Sequence, residues 1–198
     1  SCVPVKIDLA FTVQSDQPVM NLDTVLKATV AFDLDQRSYG LAGIDFGAKG
    51  MAAGIGNLVM TAKGDVDAKF ASNEFLISRL TIAATGKPES GNLDVKFDVP
   101  RLTITNDNVS GERLVLDATL STVKGKLAAK LEIPGIDGNA QEFKAGALTA
   151  SIDVQQDGAR IKARLTSPLA GSVEGQKFAL PKLVATVNVN NPGLLKNP

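Results

Sequence analysis

The feature that most constrains the fold is a repeat in which a proline closes a segment of alternating apolar and polar residues. Pro100, Pro134 and Pro168 lie 34 residues apart. A basic residue stands four positions before each of these prolines (Lys96, Lys130 and Arg164). A second alternating segment follows each proline and begins at Leu114, Leu148 and Leu183. A fixed period of this size indicates a repeat architecture, in which each supersecondary unit needs its neighbours to bury its apolar face.

The repeat is clearest over residues 65–192, while residues 1–64 are less regular. We expect one β-rich repeat domain over residues 1–198, with units of about 34 residues. We also expect it to be a piece of a longer protein. Residues 22–28 fit either a helical turn or a strand. Residues 51–55, in the glycine-interrupted stretch 41–60, fit a bulged strand, a short helix or a buried loop.

The alternation within each segment predicts strands with one dry face and one wet face. Leu93, Val95 and Phe97 would point to one side of a sheet, and Asp94 and Lys96 to the other. Turns rich in Gly, Pro, Asn and Asp separate ten or more such segments. The sequence therefore predicts an all-β antiparallel sheet.

The amino-acid composition excludes several common kinds of catalytic and metal-binding site. The chain contains no His and a single cysteine, Cys2, so catalysis by a histidine base, histidine zinc sites and an internal disulfide are excluded. Lys+Arg and Asp+Glu both number 21, so the chain has no excess of positive charge with which to bind nucleic acid. We expect no enzyme, cofactor or metal ion. Lys96, Lys130 and Arg164 would form either a basic ladder for phosphate groups or, as we favour, cross-strand pairs with acids such as Asp117 and Asp153.

The dry face is the remaining candidate for function. No long amphipathic helix is available to cover it, so the sheet must close on itself, pair with another sheet or hold an apolar ligand. One interpretation is a closed β-sandwich that serves as a structural or protein-interaction module. The other is a sheet curved into an open groove, or half-barrel, that holds acyl chains. The residues predicted to face such a lipid are Leu93, Val95, Phe97, Leu114, Leu116, Leu131, Ile133, Leu148, Ile152, Leu165, Leu183 and Val187.

Four phrases of the sequence resemble the AsmA family of Gram-negative envelope proteins, which is related to the TamB group. They lie at residues 93–102, 109–113, 143–148 and 167–183. The resemblance implies a non-enzymatic β-groove that carries phospholipid in the periplasm and supports outer-membrane biogenesis. It also implies a tether to the inner membrane by a segment absent from this chain. The expected partners are phospholipid or another acyl-chain ligand, and neighbouring β-repeats or envelope proteins at the edge strands.

Overall fold

The computed structural model describes residues 4–35 and 37–191. Within these residues the protein is all-β and has no helix. The strands are β1 (Val5–Asp16), β2 (Val19–Asp33), β3 (Ser38–Ala52), β4 (Ile55–Lys69), β5 (Glu74–Lys87), β6 (Asn92–Ile104), β7 (Val109–Gly111), β8 (Leu114–Thr122), β9 (Gly125–Ile133), β10 (Ile136–Gly138), β11 (Phe143–Gln156), β12 (Ala159–Ser172), β13 (Lys177–Ala179) and β14 (Val184–Asn190).

The strands form one antiparallel sheet, so the predicted all-β antiparallel class is confirmed. The long strands β1 to β6 each pair with the next along the chain, as in a meander, and the later strands continue this order with some positions shared by two short strands. β7 and β8 lie end to end beside β6, β10 and β9 lie end to end beside β11, and β13 and β14 share β12. Counting two strands that lie end to end as one, the fourteen strands occupy eleven positions across the sheet, and we call each position a rung. The sheet does not close into a barrel, and β1 lies at one edge with β13 and β14 at the other.

The two ambiguous stretches are resolved differently: residues 22–28 belong to a strand, and residues 51–55 close a tight hairpin between β3 and β4. Residues 22–28 lie inside β2 and pair with both β1 and β3. Residues 41–60 form the end of β3, a turn at Ala53 and Gly54, and the start of β4. Both turn residues have positive φ, 50° and 79°. Positive φ at both central residues is the conformation of a type I′ turn, whose twist matches that of the flanking strands.

A line of register breaks, which we call the bulge line, crosses the sheet from β2 to β14. On β2 to β5 it passes Ala28, Gly43, Gly64 and Arg79. On the later rungs it passes Pro100, the gap between β7 and β8, the gap at Pro134 and Gly135, Gly146, Pro168 and the gap between β13 and β14. Proline lacks the N–H that a ladder needs, which explains why the line follows the prolines. The line divides the rungs into a long arm (residues 8–27, 45–63, 80–99, 114–133, 147–167 and 184–190) and a short arm.

The carboxylate of Asp65 joins three strands across the bulge line. The Gly43 N–H donates to Asp65 Oδ1 at 2.7 Å, and Arg79 Nη2 and Nε donate to Asp65 Oδ2 at 2.5 and 3.0 Å. Gly43 and Arg79 both have positive φ, 60° and 53°. The hydrogen bond from Gly43, together with that from Arg79, lowers the pKa of Asp65 below its ordinary value. Asp65 therefore accepts the Gly43 N–H, which the interrupted ladder leaves without a strand partner, and its second oxygen holds the Arg79 side chain.

Buried side chains lie on one face of the sheet, which the register makes continuous from β1 to β14 and which we call the apolar face. Leu22 stands opposite Val13 and Gly50, and Val99 stands opposite Leu80. The buried residues on this face are Leu22, Thr24, Ala28, Ala48, Leu58, Gly86, Val99, Val109, Phe143, Ala145 and Ser167. From β6 to β12 the buried residues lie beside the bulge line or on the short arm, whereas on β2 to β5 most of them lie further out on the long arm.

Replacing Asp65 with Asn should lower the free energy of unfolding by about 1–2 kcal/mol, because a charge-assisted acceptor is lost at a largely covered site. The folded-state pKa of Asp65 is lowered, so its contribution is complete above the ordinary pKa of 3.8 and disappears as the pH falls through the folded-state value. Urea denaturation at neutral and acidic pH should show the difference between variant and wild type shrinking in acid. Asp67→Asn is the control on the same strand, and an equal loss in both variants would contradict this role.

Replacing Gly50 with Ala should destabilise the sheet, whereas Gly47→Ala on the same strand should not. A Cβ at Gly50 would lie 2.0 Å from the Asn21 carbonyl oxygen, and the φ of Gly50 is 149°. At Gly47 the nearest atom to a Cβ is the Met60 carbonyl oxygen at 4.0 Å. Thermal unfolding should show a loss of about 1–3 kcal/mol for Gly50→Ala only. Equal unfolding temperatures for the two variants would show that the close approach of β2 and β3 is not needed.

Candidate functional site

The structure brings the predicted lipid-facing residues together on the apolar face. Eleven of the twelve lie on β6, β8, β9, β11, β12 and β14, and Leu183 directly precedes β14. Leu114 stands opposite Ile133 next to the bulge line. Leu148 on β11 also lies next to this line, opposite Ser167. Strand register places the remaining eight in three rows that cross the long arm.

The three rows each contain six residues in direct register. The row nearest the bulge line is Phe97, Leu116, Leu131, Ala150, Leu165 and Ala185. The middle row is Val95, Ala118, Ala129, Ile152, Ala163 and Val187. The outer row is Leu93, Leu120, Leu127, Val154, Ile161 and Val189. We call these eighteen residues the open apolar patch.

The patch is apolar and yet none of its residues is buried. Leu165 is 40% exposed, Ile152 47% and Val187 62%. On the other half of the same face, the interior residues Leu22 and Leu58 are buried, whereas Leu9 and Phe11 on the edge strand β1 are exposed to a similar extent as Ile152. Monomeric proteins rarely expose a contiguous apolar area of this kind unless it binds something.

The surface of the patch is uneven because side-chain size differs from row to row. Three of the six middle-row residues are alanines (Ala118, Ala129 and Ala163), whereas the outer row has no alanine and the row nearest the bulge line has two, Ala150 and Ala185. Five strand spacings separate the ends of a row, roughly 24 Å at the usual 4.7–4.9 Å per spacing. An acyl chain that spans one leaflet of a bilayer covers roughly 15 Å, half of the hydrocarbon thickness. A strip between taller rows is thus long enough for one acyl chain.

Five residues of the outer row were not among the predicted set: Leu120, Leu127, Val154, Ile161 and Val189. The signal was present, because each lies an even number of positions from a predicted residue on its own strand. Continuing the alternation to the end of each strand would have found them. What alternation alone does not provide is the register that aligns the row across six rungs.

The opposite face carries the charged residues in compensating pairs. Lys96, Asp117, Lys130, Ser151 and Arg164 form one row in direct register. Asp117 therefore lies between two of the three basic residues. Lys96 also approaches Asp98 at 2.9 Å. Lys96 and Lys130 therefore form salt bridges along their own strands, to Asp98 and to Glu132 (3.9 Å), rather than with the predicted Asp117.

Two arginine–carboxylate pairs reinforce this polar face. Arg113 Nε and Nη2 donate to the two Glu132 carboxylate oxygens at 2.8 and 2.7 Å. Arg160 donates through the same two nitrogens to both oxygens of Asp153, so the predicted acid pairs with Arg160 and stands opposite Lys162 in register. These hydrogen bonds lower the pKa values of Glu132 and Asp153. The two carboxylates therefore remain ionised, as acceptors rather than proton donors, at neutral pH.

Within residues 4–35 and 37–191, no group of three or more Cys, Asp or Glu side chains is placed to hold a metal ion. In the same part of the chain no helix has the length and hydrophobicity needed to cross a bilayer. Cys2 lies outside the described residues. The open apolar patch is therefore the feature from which we argue function.

Comparison with known proteins adds no family: no family model matches the chain, and neither a curated protein nor a solved structure matches it significantly.

Proposed function

We propose that this protein is a non-enzymatic lipid-binding module that holds phospholipid acyl chains on the open apolar patch. The observation that carries the proposal is an apolar area, six rungs wide, whose residues are all at least partly exposed. Each methylene moved from water onto such a surface contributes about 0.8 kcal/mol. An acyl chain covers the patch without needing a directional contact, which suits a surface made only of aliphatic and phenyl groups.

Curvature of the sheet is the second part of the proposal. A β-bulge bends its strand and increases the local twist, and here breaks in register line up from β2 to β14. Aligned bends on neighbouring strands fold a sheet along the line that joins them. Burial of Val99, Ala145 and Ser167 beside the line supports a bend toward the apolar face. We infer an open groove whose floor lies at the bulge line and whose broad wall is the long arm.

The repeat unit of about 34 residues corresponds, in this proposal, to two rungs of the sheet. Pro100 lies in β6, Pro134 between β9 and β10, and Pro168 in β12. These are alternate rungs, so one proline interrupts every second rung on the bulge line. A unit of two antiparallel rungs is a hairpin, and adding hairpins lengthens the groove without changing its cross-section.

The resemblance to the AsmA family extends the proposal to a cellular role. It would place the protein in the periplasm, tethered to the inner membrane by a segment outside this sequence, and would make the groove part of phospholipid transport that supports outer-membrane biogenesis. A lipid that slides along the patch exchanges one apolar contact for another. Such sliding has a small cost at every step, as transport along a groove requires.

The edges of the sheet are the proposed sites for protein partners. β1 pairs only with β2, in unbroken register over all 12 of its residues, and contains no Pro or Gly. An edge strand without interruptions is a template for an added strand. A neighbouring β-repeat or another envelope protein would extend the sheet there and continue the apolar face.

Ile152→Glu should reduce lipid binding at least about tenfold while leaving the protein folded. A carboxylate on the patch must lose its hydration when an acyl chain covers it, and this penalty opposes binding. Ile152 is 47% exposed in the lipid-free protein, so the same carboxylate keeps its water there. The measurement is transfer of a pyrene-acyl phospholipid from vesicles, with thermal unfolding recorded in parallel.

The matched control is Ser151→Glu, the adjacent residue on the opposite face. Ser151 stands in register between Lys130 and Arg164, which accommodate a carboxylate. Its lipid transfer should equal that of wild type. If Ile152→Glu transfers lipid as well as the control does, acyl chains do not bind on the patch. If it unfolds instead, Ile152 belongs to a closed core and the structural-module interpretation gains support.

A further inference from the structure

A hollow of about 800 Å³ lies at the outer end of the long arm, where the apolar and polar faces meet. It is bounded by the loop between β5 and β6, the hairpin between β8 and β9, and the end of β11. Three members of the outer row, Leu120, Leu127 and Val154, line it together with Ser121, Lys124 and Lys126. One hollow thus offers aliphatic carbons and cationic nitrogen side by side.

The polar part of this hollow is a row in direct register. Asn92 stands opposite Ser121, and Ser121 stands opposite Lys126. The same three residues also line a neighbouring hollow of about 510 Å³, which adds Lys87. An amide, a hydroxyl and an ammonium are therefore adjacent on three neighbouring strands. All three groups donate hydrogen bonds, and phosphate oxygens accept them.

The charge around the row favours an anion. Lys87, Lys124 and Lys126 make no salt bridge within the described residues, unlike Lys96 and Lys130 further along the sheet. The carboxylates that line the two hollows are Glu89 and Asp94. Among the residues that line the two hollows, three lysines thus exceed two carboxylates by one charge, while Asp153 on β11 also interacts electrostatically with Lys126. Charge-assisted hydrogen bonds from ammonium to phosphate are among the strong polar contacts.

We propose that this hollow holds the phosphate of a glycerophospholipid whose acyl chain lies on the outer row of the open apolar patch. The inference rests on the proposed function, to which it adds the position of the headgroup and a preference for phosphate-bearing lipids. The lipid then lies with its headgroup at the outer end of the long arm, and its chain extends over Leu120, Leu127 and Val154. Only an amphipathic ligand satisfies both halves of the hollow.

The test compares two lipids that differ in phosphate. Vesicles of digalactosyldiacylglycerol, whose headgroup has no phosphate, carry either pyrene-acyl phosphatidylglycerol or pyrene-acyl diacylglycerol. Transfer of each probe to the protein is followed by pyrene fluorescence. Lys124→Gln/Lys126→Gln should weaken binding of phosphatidylglycerol at least about tenfold, because two charge-assisted contacts are lost. Binding of diacylglycerol should stay within about twofold of wild type, since the apolar row is unchanged.

The matched control is Lys6→Gln/Lys49→Gln, which removes the same charge from β1 and β3, far along the sheet from the hollow. It should bind both probes as wild type does. An equal loss of phosphatidylglycerol in both double variants would mean that net charge acts at long range, and would overturn the site. Unchanged phosphatidylglycerol binding in Lys124→Gln/Lys126→Gln would overturn it as well.

Free phosphate is separated from a lipid headgroup by titrating wild type with sn-glycerol 3-phosphate. We expect affinity weaker by several orders of magnitude than for phosphatidylglycerol, because the acyl chain supplies most of the binding. Equal affinities would assign the hollow to a soluble phosphate compound and overturn the proposal. Failure of wild type to take up either pyrene probe would refute the proposed function itself, whereas equal uptake by all variants would refute only the headgroup site.

Discussion

The structure depends on one system of backbone hydrogen bonds that joins all the neighbouring strands. The sheet has no helix to support it within the described residues, and every long strand except the edge strand β1 pairs with a strand on either side. Side-chain packing is limited to one face, where even Leu165 and Ile152 stay substantially exposed. Stability therefore comes from the length of the ladder and from many partly covered apolar contacts, rather than from a closed core.

The interruptions of that hydrogen-bond ladder fall on one line across the sheet. A single proline on an interior strand removes one hydrogen bond, but Pro100, Pro134 and Pro168 fall on the same line across alternate rungs. On the earlier strands the line passes through residues with positive φ, Gly43 on β3 and Arg79 on β5. Asp65 accepts a hydrogen bond from the Gly43 N–H, the backbone donor released at one point on the line. The same positions that weaken the ladder would bend the sheet, and in the proposed groove they form the floor.

Alternation in the sequence predicted the fold class and the members of the apolar face well. Leu93, Val95 and Phe97 lie on one face because side chains along a strand alternate, and that rule is local. The bulge line was not predicted, because it requires knowing that Gly146 lies beside Pro134 and Pro168 on neighbouring strands. The alternation within a strand also did not predict which residues are buried. Leu22 and Leu127 occupy similar positions in their alternating segments, yet only Leu22 is buried. Alternation within one strand does not show which side chains of other strands cover a residue.

The most direct test of the account is native mass spectrometry of the protein purified without detergent, followed by solvent extraction and identification of the lipid. We predict a protein mass increased by a stoichiometric phospholipid, which the open apolar patch retains through purification. An apo mass that stays unchanged after incubation with phospholipid vesicles would contradict the account. It would show that the apolar face is closed in solution and would direct the search to partners at the strand edges.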